Sequence, residues 1–327
     1  MSRFLEYLVV TKDDYFYLSI EKEPFILALN NPELSYYFAN YFAKQGANTE
    51  KHQQVVLDSK NILWVYKFAK NVYGADVKKL GQAIIDLGGE YDNLAFAKEV
   101  KDADVLAHEQ AVISSGNLKC IFQFADTVKG ANILELGAAI IASGDSYWNY
   151  KYAKDIPGAD IQEHGKVVIK SGNLELIYCF AQNVNGVDFK KYGDAILASN
   201  NLEYICKFAE MIQKKRFFIN SLSFFDKMAN LDIIYRLSRL NIMEYEKAII
   251  ESGDLYWNYY YAMNVKYANI RAHENVILTS RNPEFCIKFA GDIPEANVEE
   301  FIKALSDCAD NVNEKILERR EKILLIK

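Results

Sequence analysis

GNLKCIFQFADTVKGANILELGAAIIASG, residues 116–144, contains the organising unit of this chain. Asn117 stands just before a run whose apolar members, Leu118, Ile121, Phe122, Ala125 and Val128, recur at helical spacing. A side-chain oxygen there can accept from the unpaired N–H groups of a first helical turn. Asn132 opens a second such run, Glu135 three residues on reads as a capping box, and Gly144 marks its stop. The stretch predicts two short helices joined by a tight turn.

The same unit recurs along the chain. Aligned on the Ala of its "FA" or "YA" phrase, successive anchors fall 28 residues apart at Ala69, Ala97, Ala125, Ala153, Ala181 and Ala209, and again at Ala262 and Ala290. Ala39 anchors a first copy with two extra loop residues, and Ile234 anchors a copy that follows a repeat three residues short. Helices of this length are marginal alone and become stable by burying one another's apolar faces. The expected fold is therefore all-α: a right-handed superhelical solenoid of about ten two-helix repeats over 31–305, irregular at 210–234. Residues 1–30 read as an N-terminal cap and 306–327 as a charged C-terminal capping helix, also fit to pair with a second copy.

The array resembles α-solenoids of the HEAT and tetratricopeptide type in kind, with a shorter period and without their signature residues. That resemblance implies an extended surface presented to other macromolecules.

Bulk composition narrows the function class. Of 327 residues, 50% are hydrophobic and 25% charged, and the formal charge is -6, which disfavours a general phosphate-backbone binder. Five Cys without a Cys-x-x-Cys pair point to a reducing compartment. The opening MSRFLEYLVVTKDDYF carries an apolar run too short for a secretion signal, and no membrane span is evident, so a cytoplasmic location in a bacterium or host cell is expected. The Asn, Lys, Ile and Tyr bias suits an AT-rich genome, of low-GC bacteria, their phages or large viruses.

The four His, at 52, 108, 164 and 273, occupy one slot in alternate repeats, where other repeats carry Leu80, Leu136 or Tyr192. A second slot alternates with it, which predicts buried polar pairs Ser35–His52, Asn93–His108, Asn149–His164 and Asn258–His273, against apolar pairs such as Val65–Leu80. Successive His are roughly 20 Å apart at about 10 Å per stacked unit, too far to converge on a metal. No phosphate loop, His-Glu-x-x-His or nucleophile elbow occurs, so no catalytic, cofactor or metal residue is assigned and the chain is expected not to be an enzyme.

Candidate partner-binding residues remain. QKKRFFIN (213–220) coincides with the irregular repeat and offers Lys214, Lys215, Arg216 and Phe217, with Arg236 and Arg239 following. This run reads either as a contact patch or as a solvated loop whose Phe217 and Phe218 plug a stacking defect. Trp148 and Trp257, in the two copies of YWNY, fill a generally apolar slot and are candidates for partner contact. The leading reading is a non-catalytic protein-binding scaffold, adaptor or inhibitor; the alternative is a nucleic-acid-associated repeat protein using the basic region 214–239.

Overall fold

The computed structural model describes residues 19–223, 226, 231–238, 240–305 and 314–319. Among them the chain is all-α and strand-free, a helical-repeat arrangement of solenoid type built from adjacent helices packed in pairs. The chain divides into two compact units, Met1–Asp160 and Ile161–Lys327.

In the first unit α1 (Glu23–Ala28) precedes four helix pairs: α2 (Pro32–Phe42) with α3 (Thr49–Asp58), α4 (Ile62–Asn71) with α5 (Val77–Leu87), α6 (Glu90–Glu99) with α7 (Val105–Ser115), and α8 (Leu118–Thr127) with α9 (Ile133–Ser143). Helix α10 (Ser146–Asp155) closes it. The second unit runs α11 (Ile161–Lys170), α12 (Leu174–Asn183), α13 (Phe189–Ala198), α14 (Leu202–Ser221), α15 (Leu231–Ser238), α16 (Ile242–Ser252), α17 (Leu255–Asn264), α18 (Ile270–Ser280), α19 (Pro283–Asp292) and α20 (Val298–Leu305).

One turn grammar separates the two helices of a pair. Val72, Val100 and Val128 leave the first helix in extended conformation. Two residues later the chain turns left-handed, at φ +75° for Gly74, +88° for Gly130, +86° for Gly158 and +83° for Gly186. Only a residue without Cβ enters that region without strain. Two residues further Asp76, Asp104 and Asn132 accept from the N–H of Lys79, Ala107 and Glu135 and start the second helix. Inside, the residue before each anchor fills the core, as Phe68, Phe96, Phe124, Tyr152, Phe180, Phe208, Tyr261 and Phe289, all fully buried. The small anchors beside them let the helices approach closely.

This grammar fails after Ala209. Ile212 stands where Val or Ile ends other first helices, but it is followed by Gln213, Lys214, Lys215 and Arg216, with neither a left-handed Gly nor an Asp or Asn cap. Nothing stops the helix, so α14 runs for 20 residues, against 10 or 11 in most others. The segment expected as a solvated loop is therefore helical, and Phe217 and Phe218 are exposed rather than plugging a defect.

The described ends of the array are packed. Ile26 of α1 is buried with Leu34, Phe38, Phe42 and Ala47. Residues 314–319 are helical; Ile316 enters the core of Phe301 and Leu305, and Arg319 pairs with Asp292. Gly291 permits this, since a Cβ there would stand 2.7 Å from Arg319 Cβ.

Candidate functional site

The recurring polar slots are occupied by the fold itself. Asn93 Oδ1 lies 2.7 Å from His108 Nδ1, and Asn258 Oδ1 lies 2.8 Å from His273 Nδ1. Asn258 Nδ2 donates to the carbonyls of Ile249 and Asp254, and Asn93 Nδ2 to that of Gly89, which orients each amide oxygen toward its His and places a proton on Nδ1. Asn149 makes the equivalent amide bonds to Ile140 and Asp145. His164 is buried in the second unit. Ser35 and His52 do not pair: Ser35 Oγ and His52 Nδ1 are both buried without a hydrogen bond. A serine hydroxyl is shorter than an asparagine amide and does not span the gap. His52 instead turns Nε2 to within 3.3 Å of Glu23 Oε1.

The residue after the His slot carries a second ladder that the sequence reading missed. Gln53 Oε1 accepts from the Asp76 N–H at 2.8 Å, Glu109 Oε2 from Asn132 at 2.7 Å, and Glu274 Oε1 from Asn297 at 2.7 Å; Glu246 accepts from Asn269. Each side chain crosses to the next repeat and satisfies the backbone N–H of its N-cap residue. Because Glu109 already holds that N–H, Glu135 forms no capping box and instead accepts from the Asn132 side chain. At 81, 137, 165 and 193 the slot is Gly, and in the last repeat it is Ile302. A Cβ on Gly81 would lie 3.1 Å from His108 Nε2, and one on Gly165 or Gly193 would overlap the hydroxyl of Tyr192 or Tyr245. The alternation of Gln53, Gly81, Glu109 and Gly137 over the first four repeats is the signal that marks this slot.

Environment splits these carboxyls. Burial pushes Glu109 above the usual carboxylate range, against the opposing Asn132 N–H. Burial also pushes Glu246 up, but the nearby His273 imidazole and the Asn269 N–H outweigh it and hold that carboxyl below its ordinary value. The slots are thus consumed by packing and capping.

The partner candidates of the irregular repeat divide in the same way. Arg216 Nη2 donates to the carbonyls of Leu237 and Leu240 at 2.7 and 2.8 Å, closing the end of α15. Lys215 donates to the Gln182 carbonyl at 3.1 Å and lies over the Phe189 ring. Arg236 Nη1 lies beside the Gly186 turn, and Arg239 is outside the described residues. Lys214 projects from α14 and pairs with Glu210 at 3.1 Å. Trp148 is half-buried between Phe122 and Tyr147, and Trp257 between Tyr256 and Tyr260.

What the lengthened helix creates is a cleft of about 570 Å³, lined by Glu210, Gln213, Lys214, Arg216, Phe217 and Asn220 of α14 together with Ile242, Asn264, Lys266 and Tyr267. Lys266 Nζ stands 4.4 Å from the Phe217 ring centroid and 5.1 Å from that of Tyr267. Tyr267 is 87% exposed and sits at φ +63°. It occupies a column that holds Gly74, Gly130, Gly158 and Gly186, and Asp102 at φ +62°; VKYAN (265–269) beside VKGAN (128–132) is the sequence signal.

Burial raises the thiols of Cys120 and Cys206 to about 11 and about 12, away from thiolate chemistry. Among the described residues no cluster of three or more His, Cys, Asp or Glu is placed to hold a metal ion, and no helix is long and apolar enough to cross a membrane. Comparison with family models, with curated proteins and with solved structures returns no match.

Proposed function

We propose that this chain is a non-catalytic protein-binding scaffold, an adaptor or an inhibitor acting inside the cell, and that the face around the lengthened helix α14 is its contact surface. An array of about ten repeats with a right-handed sense belongs to that reading, as does an origin in a phage, virus or low-GC bacterium. One observation carries it: beside the lengthened helix three aromatic side chains stand in solvent, Phe217 at 60%, Phe218 at 64% and Tyr267 at 87% exposed, and Phe217 and Tyr267 line one cleft. Solvent-facing aromatics gathered at one departure from a regular pattern mark an interaction surface.

A protein partner is favoured over a nucleic acid because the basic run does not present its charges as a stripe. Lys215 and Arg216 are committed to backbone carbonyls, which leaves Lys214 as the solvent-facing cation of the three. Tagged wild-type chain and the Phe217→Ser/Phe218→Ser variant, used to capture partners from the native host, test the reading by mass spectrometry. A protein retained by wild type and lost by the variant is the expected result. Equal capture by both, or recovery of nuclease-sensitive complexes alone, would overturn it.

A further inference from the structure

We infer that the cleft beside α14 docks an acidic peptide segment of the partner, with Tyr267 as its exposed anchor; this rests on the scaffold reading above. Charge is the first observation. The chain as a whole is acidic, at -6, yet the cleft gathers Lys214, Arg216 and Lys266 against Glu210 alone. Glu210 is matched by Lys214, and Arg216 rests on neutral carbonyls, so the wall keeps a positive surplus. A locally inverted field of this kind selects an anionic ligand and accelerates its arrival.

The second observation is conformational and independent of charge. Tyr267 takes the left-handed region at φ +63°, where Gly74, Gly130, Gly158 and Gly186 stand in comparable turns and Asp102, a small residue that tolerates this conformation, stands at φ +62°. A bulky side chain held there, with its ring in solvent, works against the stability of the turn and against burial of the ring. Glycine would serve this turn without strain, and the ring that tyrosine brings instead is left in solvent, where it can meet something outside the chain. The third is an orphan acceptor: Gln213 lines the cleft, and its Oε1 is buried without a hydrogen-bond partner. A backbone N–H of an extended peptide can satisfy such a group.

A nucleic acid suits the surroundings less well. The adjoining hollow shares Asn264, Lys266 and Tyr267 with the cleft but is lined further on by Asp292 and Glu295. A phosphate chain continuing that way would meet Glu295, whereas a peptide can change its side chains as it leaves.

Panning a phage-displayed library of short random peptides on the full chain tests the inference, followed by anisotropy titration of the enriched peptides. Labelled oligo-uridine and oligo-thymidine serve as the nucleic-acid arm. Enriched peptides should carry Asp or Glu beside an apolar residue, and Lys214→Glu/Lys266→Glu should weaken them by about tenfold, less at raised salt. Both lysines are exposed, and circular dichroism is the check that the variant is folded. Tyr267→Gly should weaken the same peptides while raising the thermal midpoint by about 2 °C, a pairing that a merely structural tyrosine would not give.

Peptides without carboxylates, an absence of enrichment, binding unchanged in the charge-reversed chain, or oligonucleotide binding lost in that chain would each overturn the inference. If the charge-reversed chain still captures the native partner that wild type captures, the acidic-peptide inference falls and the scaffold reading stands. If wild type captures nothing, the scaffold reading itself falls.

Discussion

The turns VKGAN (128–132) and VKYAN (265–269) follow one path and differ in a single residue. Val128 and Val265 both end their helices in extended conformation, and Asn132 and Asn269 both cap the next one. Between them stand Gly130 at φ +88°, with open space around it, and Tyr267 at φ +63°, with its ring in solvent. The first turn is what the fold selects when only stability matters. The second keeps the geometry and accepts a residue that geometry disfavours. Regular repeats therefore act as an internal reference: what recurs in them belongs to the fold, and what departs from them, as at 202–221 and 267, calls for another explanation.

The largest expected effect tests the reference itself. Asn93→Val leaves His108 Nδ1–H buried without its acceptor, and unfolding free energy measured in urea should fall by about 2–3 kcal/mol. Asn93→Val/His108→Leu recreates the Val65–Leu80 arrangement of the neighbouring repeat and should recover most of that loss. If the double variant is as unstable as the single one, the two kinds of repeat are not interchangeable. The same pair carries a pH signature. Burial lowers the His108 pKa to about 4, with Asp104 opposing weakly, against about 6.5 for an unfolded His. Between those values the unfolded chain holds a proton that the folded chain lacks, so this contribution is complete above pH 6.5 and is lost as pH falls. Its slope reaches about 1.4 kcal/mol per pH unit. The urea midpoint of the double variant should accordingly drop less on acidification than that of wild type.

The period, the Asn and Asp caps and the glycine stops were legible in the sequence because each is a local requirement repeated many times. The Asn–His slots were legible because polar and apolar fillings alternate in step. Four features were not. The reach of Ser35 toward His52 depends on about one bond length of side chain, which spacing does not encode. Glu109 and Glu274 read as surface charge by residue type, and only their alternation with Gly81 and Gly137 betrays a buried slot. The fusion of two helices into α14 follows from turn residues that are missing after Ile212, where the reading expected a loop. Tyr267 was visible as the bulky member of a glycine column, but it carries weight only once the positive φ of that column is known.

Exchanging the two turn residues sharpens the opening comparison. Gly130→Tyr forces a Cβ into the left-handed region with nothing nearby to pack on, and should cost about 1–2 kcal/mol. The reverse change at 267 should gain a smaller amount, since the native turn has already adapted to its tyrosine. Equal stability for Gly130→Tyr and wild type, by urea titration, would mean the turn is indifferent to its occupant and would remove the argument that Tyr267 is retained for contact.

The smallest effects separate two neighbours within the basic run. Arg216 ties α14 to the end of α15 through the Leu237 and Leu240 carbonyls, so Arg216→Ala should cost about 1 kcal/mol, tempered by water reaching those half-buried oxygens. Lys214 is exposed and pairs with the half-buried Glu210 one helical turn away, so Lys214→Ala should stay within about 0.5 kcal/mol of wild type. The two cations stand two residues apart on one helix and line one cleft, yet the first holds the fold together and the second does not. A partner contact mapped to this surface should then be sensitive to Lys214 at unchanged stability, whereas loss of contact in Arg216→Ala would follow the displacement of α15. If both substitutions left stability untouched, the Arg216 bridge would contribute nothing, and all of the basic run would be available for binding, as in the regular reading of an exposed patch.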